Sequence, residues 1–297
     1  MDKLDMKILS CLLNNCREPD RQIGRKLGIS GGAVRARIKK MEKNGIVEKF
    51  TLKIEPPFLG YGLFYIVVSG RNLDEIFEQV KLVGEPFLVA PCVGGVTVCG
   101  IVVKEDIENK IKLAENLMKD VRLLSIFEAE KPDIQTNLTK TDLTIINELL
   151  NDPREKIENI AKITGLSTKT VTRCIDKLEK STEVQFTLIY NPKRIRNFIP
   201  HAVLTWLKKN TKEELKVLEN KFSQYFMQQP FIAKNQIVLF MYTDDVYKLD
   251  DLTQKVRETR GIESADLFIP KKITFPLEWI KFAITAAQKS PRLHLLH

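Results

Sequence analysis

The sequence predicts an α+β chain: two repeats of one unit, each a winged helix-turn-helix followed by a ferredoxin-like βαββαβ domain. Three observations predict it. First, moving Asp5 onto Asp142 aligns two segments without a gap, and sets Ile8 on Ile145, Leu12 on Leu149, Arg17 on Arg154, Ile23 on Ile160 and Gly28 on Gly165. Self-similarity at one fixed offset marks a duplicated structural unit. Second, each copy carries helix-period apolar stripes broken by a short glycine turn. Third, each is followed by a strand-helix-strand-strand-helix-strand order. A chain of 297 residues has room for two to four domains with separate cores.

In the first copy, Leu4, Ile8, Leu9, Leu12 and Leu13 form the apolar stripe of a helix ending near Asn14 and Asn15. Asp20 is expected to cap a second, shorter helix carrying Ile23 and Leu27. Gly28 closes it at the position that favours a left-handed residue. Ser30 caps a third helix from Gly31 to about Asn44, with Val34, Ile38 and Met41 inward and Gly45 as its stop. Two helices joined by a tight glycine turn, the second opening on a serine, form the arrangement that sets a recognition helix in the DNA major groove. Ile46 to Ile54 then reads as a β wing. The repeat continues through Ser30 on Ser167, Val34 on Val171, Ile38 on Ile175, Met41 on Leu178 and Val47 on Val184.

Identity fades after about Ile54, and from there the copies compare by element order. The first α+β domain reads as a strand Tyr61 to Ser69, a helix Leu73 to Val83, a hairpin of Pro86 to Val93 and Val96 to Lys104 around Gly94-Gly95, a helix Asp106 to Met118 and a strand Val121 to Glu130. The second reads as His201 to Leu207, Lys212 to Phe226, Phe231 to Lys234, Ile237 to Tyr242, Val246 to Thr259 and Ile262 to Phe268, with a closing helix Leu277 to Gln288. The expected domains are 1–55, 60–132, 138–192 and 198–290.

With Val34 inward, a turn of 100° per residue puts Gly32, Ala36, Lys39 and Lys43 on the outer side of the third helix, flanked by Arg35 and Lys40. Gly31 to Lys43 holds five basic residues against the single acid Glu42, a face suited to phosphates. The matching outward positions of the second copy are Lys169, Thr172, Arg173, Asp176, Lys177 and Lys180, still basic but with an acid among them. Gly32, Arg35, Ala36, Lys39, Lys40, Lys43, Lys169, Thr172, Arg173 and Lys177 are therefore the candidate DNA contacts, from helices 31–43 and 168–180. Double-stranded DNA is the expected partner.

Leu4-Asp5, Gly28-Ile29-Ser30, Met41-Glu42-Lys43-Asn44-Gly45-Ile46-Val47 and Leu59-Gly60 resemble the Lrp/AsnC family. Thr141-Asp142, Gly165-Leu166-Ser167-Thr168 and Leu178-Glu179-Lys180 repeat most of that pattern, although Thr182 replaces the glycine before the second wing. The resemblance implies transcription regulators whose α+β domains pair, many of them with amino acids bound between those domains. A fused pair of units would then form a pseudo-dimer within one chain, or associate further into a homodimer. In the family, a glycine followed shortly by an aspartate contacts the effector. This chain has Gly94-Gly95-Val96-Thr97 in one copy and Lys234-Asn235-Gln236-Ile237 in the other, without that aspartate. Gly94, Gly95 and Thr97 are the effector-contact candidates, and the effector's class stays open.

Composition narrows the alternatives. An excess of 47 Lys+Arg over 38 Asp+Glu, net charge +9, suits a polyanionic partner. No apolar run approaches the roughly 18 residues of a membrane span, so a cytoplasmic protein is expected. Five cysteines without CxxC spacing argue against a disulfide framework and a structural zinc site. Cys92 and Cys99 flank the Gly94-Gly95 turn, where they would face each other, but both read more simply as small apolar packing residues. His294 and His297 read as tail residues. A siroheme decarboxylase-like enzyme on a similar architecture is the alternative function, and an interaction module of the transcription machinery is a third. With three histidines in all, only His201 in a core element, and no acid-base pair or nucleophile, no catalytic residue, metal or cofactor is assigned.

Overall fold

Three helices open the chain: α1 (Lys3–Asn14), α2 (Asp20–Leu27) and α3 (Gly31–Lys43). The computed structural model describes residues 1–70, 72–118, 121–129, 138–208 and 211–289. α1 starts on a capping box: Asp5 N–H donates to the Asp2 carboxylate at 2.8 Å, and Asp2 N–H donates to that of Asp5 at 3.1 Å. Its stripe of Met6, Ile8, Leu9, Leu12 and Leu13 is buried against Ile23, Val34, Ile38 and Met41. The expectation that Asp20 caps α2 is corrected. Pro19 holds that position without a side-chain cap, and Asp20 lies in the first helical turn, where its carboxylate meets Arg35 at 2.9 Å and Arg154 at 3.6 Å. Gly28 turns out of α2 at φ 72°, and Ser30 Oγ accepts from Ala33 N–H at 3.1 Å to start α3.

The first unit continues with β1 (Val47–Ile54), β2 (Gly62–Ser69), α4 (Leu73–Val83), β3 (Glu85–Pro91), β4 (Val96–Val103), α5 (Ile107–Leu117) and β5 (Arg122–Glu128). The second repeats it as α6 (Lys140–Leu149), α7 (Ile157–Thr164), α8 (Thr168–Lys180), β6 (Val184–Tyr190), β7 (Ile199–Leu207), α9 (Thr211–Phe222), β8 (Phe231–Ala233), β9 (Gln236–Thr243), α10 (Val246–Arg257) and β10 (Ile262–Phe268). It ends on α11 (Glu278–Lys289). The two antiparallel sheets have orders β3-β4-β2-β5 and β10-β7-β9-β8. Both place the first and third strands of the unit in the middle, the ferredoxin-like order, so the predicted fold class holds.

Successive strand residues point to opposite faces. Phe64, Ile66 and Val68 pack with Ile76 and Val80 of α4, while Tyr65 and Val67 point the other way, toward the second sheet. In that sheet Val203, Ile237 and Leu239 pack with Leu218 of α9 and Val256 of α10, while Leu204 turns back toward the first. The sheets thus meet face to face, each with its helices outside, and are joined at both edges. Ala129, just past β5, bridges Ala233 of β8. On the other side Val89 of β3 and Thr274, past β10, exchange N–H to carbonyl bonds of 2.9 and 3.0 Å.

The expected wing takes an unexpected form. Each unit supplies one strand, and β1 pairs antiparallel with β6 in register Phe50 to Leu188, Thr51 to Thr187 and Leu52 to Phe186. The two heads therefore share one ribbon. The facing arrangement expected for Cys92 and Cys99 is also corrected: Cys99 lies opposite Val89 and packs toward the helices, whereas Cys92 lies beside Pro270. All five cysteines are free thiols. His294 and His297 lie outside the described residues.

Candidate nucleic-acid interface

Recognition-type helix α3 buries Val34, Ile38 and Met41 and exposes Gly32, Arg35, Ala36, Lys39, Lys40 and Lys43. Of its five basic side chains, Arg37 is turned inward. Its guanidinium spans Asp2 at 2.7 Å and Asp5 at 2.6 Å, binding α3 to the capping box of α1. Hydrogen bonding to these two carboxylates raises its pKa further above an already high value. Arg35 is exposed and donates its Nε–H to Asp20. Lys39, Lys40 and Lys43 form no ion pair among the described residues, so these three carry the unneutralised charge of the helix.

In α8 the inward stripe is Val171, Cys174, Ile175 and Leu178, while Lys169, Arg173, Asp176 and Lys180 are exposed. Lys177, expected outward, is half-buried, and its ammonium donates to Asp142 at 2.8 Å. Asp142 is the equivalent of Asp5 and makes the same kind of capping box with Thr139. Burial alone would raise the Asp142 pKa, but the Lys177 and Thr139 hydrogen bonds outweigh it and hold the carboxyl below its ordinary range. Lys177 thus does in the second head what Arg37 does in the first, from a different position of the recognition helix. Thr172 is half-buried, its hydroxyl donating to the Thr168 carbonyl at 2.9 Å.

Residues that fix the two heads against each other escaped the pattern reading. Arg17 donates to the carbonyls of Pro153 at 2.7 Å and Glu155 at 3.0 Å, and its guanidinium lies 5.7 Å from the Phe186 ring centroid. Arg154, its repeat partner, lies 4.6 Å from the centroid of Phe50 and reaches Asp20. Thr187 and Gln185 both donate to the Leu13 carbonyl, at 2.8 and 2.9 Å. The only available signal was the identity of Arg17 and Arg154 across the repeat, which says that both matter and not what they touch.

The effector candidates lie elsewhere. Gly94 and Gly95 form an exposed turn at φ 80° and 76°, and Thr97 is buried on β4. Among the described residues no group of three or more His, Cys, Asp or Glu side chains converges as a metal site. No helix there is long and apolar enough to cross a membrane.

Comparison with known proteins agrees with this geometry. The AsnC-type helix-turn-helix domain matches residues 1–42, and the winged helix-turn-helix DNA-binding model matches residues 138–181. The transcriptional regulator Ptr1 of Methanocaldococcus jannaschii is 34% identical over 121 residues, which cover 39% of this chain and 82% of that protein. This chain belongs to the Lrp/AsnC family of helix-turn-helix transcription regulators. Another Lrp/AsnC relative, LrpA of Pyrococcus horikoshii, is 39% identical over 85 residues, 29% of this chain and 60% of its own length. Among solved structures, the siroheme decarboxylase NirDL aligns over 96% of this chain and 100% of its own, at 14% identity and TM-score 0.49. An AsnC family regulator from Agrobacterium tumefaciens aligns over 47% of this chain and 97% of its own, at 21% identity and TM-score 0.31.

Proposed function

We propose that this regulator reads one asymmetric stretch of double-stranded DNA with two unlike heads, using α3 and α8 in successive major-groove faces. The observation that carries the reading is the pair of outward, cation-bearing helices, each opening on a glycine-serine turn, held on one shared ribbon. In α3 the contacts are Lys39, Lys40 and Lys43, with Arg35 at the flank and Gly32 and Ala36 allowing close approach. In α8 they are Lys169, Thr172 and Arg173, with Lys177 positioning the helix through Asp142. Arg and Lys serve guanine edges or phosphates. Because Asp176 lies among the cations of α8 and α3 exposes no equivalent acid, α8 binds its half more weakly. Such a protein acts where the chromosome is, and the cytoplasm is the compartment that fits. It is non-enzymatic, and any homodimer would present four heads.

The test is fluorescence anisotropy of the full chain against DNA from its own upstream region and a scrambled duplex, across a salt series. Own-region preference is expected, with log affinity falling by about 0.9 per log unit of salt for each phosphate contacted. Lys39→Ala with Lys43→Ala should lower that slope by about two contacts, and Lys169→Ala with Arg173→Ala by less. Equal, weak binding to both duplexes, unmoved by either double variant, would overturn the reading.

A further inference from the structure

The face-to-face sheets enclose a space that the protein does not fill. Joined edge to edge, β5 to β8 and β3 to residues 270–274, the eight strands close into a flattened barrel. Barrels of about eight strands are just wide enough to be filled by side chains or to hold one small ligand. Here the interior keeps a cavity of about 140 Å³. Aromatic side chains dominate its lining, among them Tyr65, Phe127, Phe231, Phe240, Phe268 and Phe275. Four of these, the phenylalanines of the second unit, are only half-buried although they line the interior. Their rings border empty space, losing the dispersion contacts a packed core would supply.

The chemistry of the wall selects the occupant. A wholly apolar cavity of about 150 Å³ stays dry and admits benzene; this one is of similar size and mostly apolar, with Gln185, Thr187, His201 and Gln228 as polar lining, so it matches a single ring. Lys53 is the one lysine or arginine lining it, and burial on β7 disfavours the charged form of His201. The Lys53 ammonium is already paired with Glu55 at 2.6 Å and lies 5.7 Å from the centroid of Phe231. A charged guest would find no free counter-ion and would lose its hydration. We propose that the barrel interior is a binding site for a small, uncharged, single-ring aromatic molecule. The site is separate from the Gly94-Gly95 turn, which lies on the surface.

The cavity is also lined from the ribbon, by Lys53 of β1 and by Thr187 and Tyr190 of β6. A bound ring therefore touches both sheets and the ribbon on which the heads are mounted, and its occupancy biases how they pack. This coupling step rests on the DNA-binding reading above, whereas ligand binding does not.

Thermal unfolding of the full chain tests the site, with benzyl alcohol as the probe and benzoate and benzylamine as its charged counterparts. Benzyl alcohol is expected to raise the midpoint by several degrees at saturation, since a ligand of the native state alone stabilises it. The charged pair should leave it unmoved. Ala202→Phe and Val98→Phe fill the cavity from opposite sheets and should each abolish the benzyl alcohol effect while retaining the circular dichroism of the parent. Should either variant fail to fold, nuclear Overhauser contacts between benzyl alcohol and the methyls of Val98 and Val238 in the parent decide the question. No midpoint rise and no such contacts, equal rises in the filled variants, or equal stabilisation by benzoate would each overturn the proposal. Anisotropy with and without benzyl alcohol then reads the coupling: a change in DNA affinity in the parent, absent in the filled variants, supports it. Binding of the ring without any such change overturns the coupling alone.

Discussion

Single side chains here are set by what the neighbouring element leaves room for. A Cβ on Gly24 would stand 2.5 Å from the Ile29 carbonyl oxygen, so α2 needs glycine for the turn into α3 to close. Gly24→Ala is expected to cost about 1–3 kcal/mol, measured as a lower urea midpoint with unchanged slope. His201 is 3% exposed and its Nδ1 lies 2.9 Å from the Ile199 carbonyl. Burial penalises its charged form and lowers its pKa below the ordinary value of about 6.5. As pH falls below about 6.5, the unfolded chain takes up a proton that the folded one resists, so stability declines on the acid side and is flat above it. Thermal midpoints between pH 8 and 5 should show this decline, and His201→Gln should flatten it. An unchanged pH profile in that variant would assign the acid sensitivity to other groups.

Among elements, each recognition helix is tied to the first helix of its head, and the ties are chemically unlike. Arg37 grips the Asp2-Asp5 box with a guanidinium, while Lys177 grips Asp142 with an ammonium. Arg37→Ala should therefore lower stability by about 1 kcal/mol or less, since the pair is partly exposed, and leave the salt slope of DNA binding unchanged. A reduced slope would instead make Arg37 a phosphate contact. The helices of both heads were legible in the sequence because caps, stripes and stops are local signals: Ser30, Gly28 and the Val34-Ile38-Met41 stripe lie within a few turns of one another. The role of Lys177 was not legible, because a rotation of 100° per residue gives direction and not the reach of a flexible lysine toward Asp142. Asp20 misled for a related reason, since its residue type suits a cap while its actual partners, Arg35 and Arg154, come from α3 and from the other copy.

Across the whole molecule, the repeat announced two units but not how they join. Strand pairing between residues more than a hundred positions apart leaves no local trace, so neither the shared ribbon nor the closed barrel could be read from pattern alone. The clamps at Arg17 and Arg154 set the spacing between heads. Replacing both with alanine is expected to reduce affinity for a complete DNA site by more than tenfold while barely changing affinity for either half-site, as read by anisotropy on full and half duplexes. Equal losses on all three duplexes would show a general loss of structure instead. The closing helix α11 adds a further tie, since Trp279, Ile280, Ala283 and Ile284 share one core with Leu143 and Ile146 of α6 and with Phe87 of the first sheet.

The β1–β6 ribbon also imposes an order in time. Val47 pairs with Tyr190 and Ile54 with Val184, so the first head leaves the ribosome with a bare strand edge. At about 5–20 residues per second, the partner strand follows on the order of ten seconds later. During that interval the edge is a template for any other nascent copy. A chain that stops short of residue 184 is therefore expected to self-associate through β1, visible as dimers in gel filtration, where the 297-residue chain closes on itself.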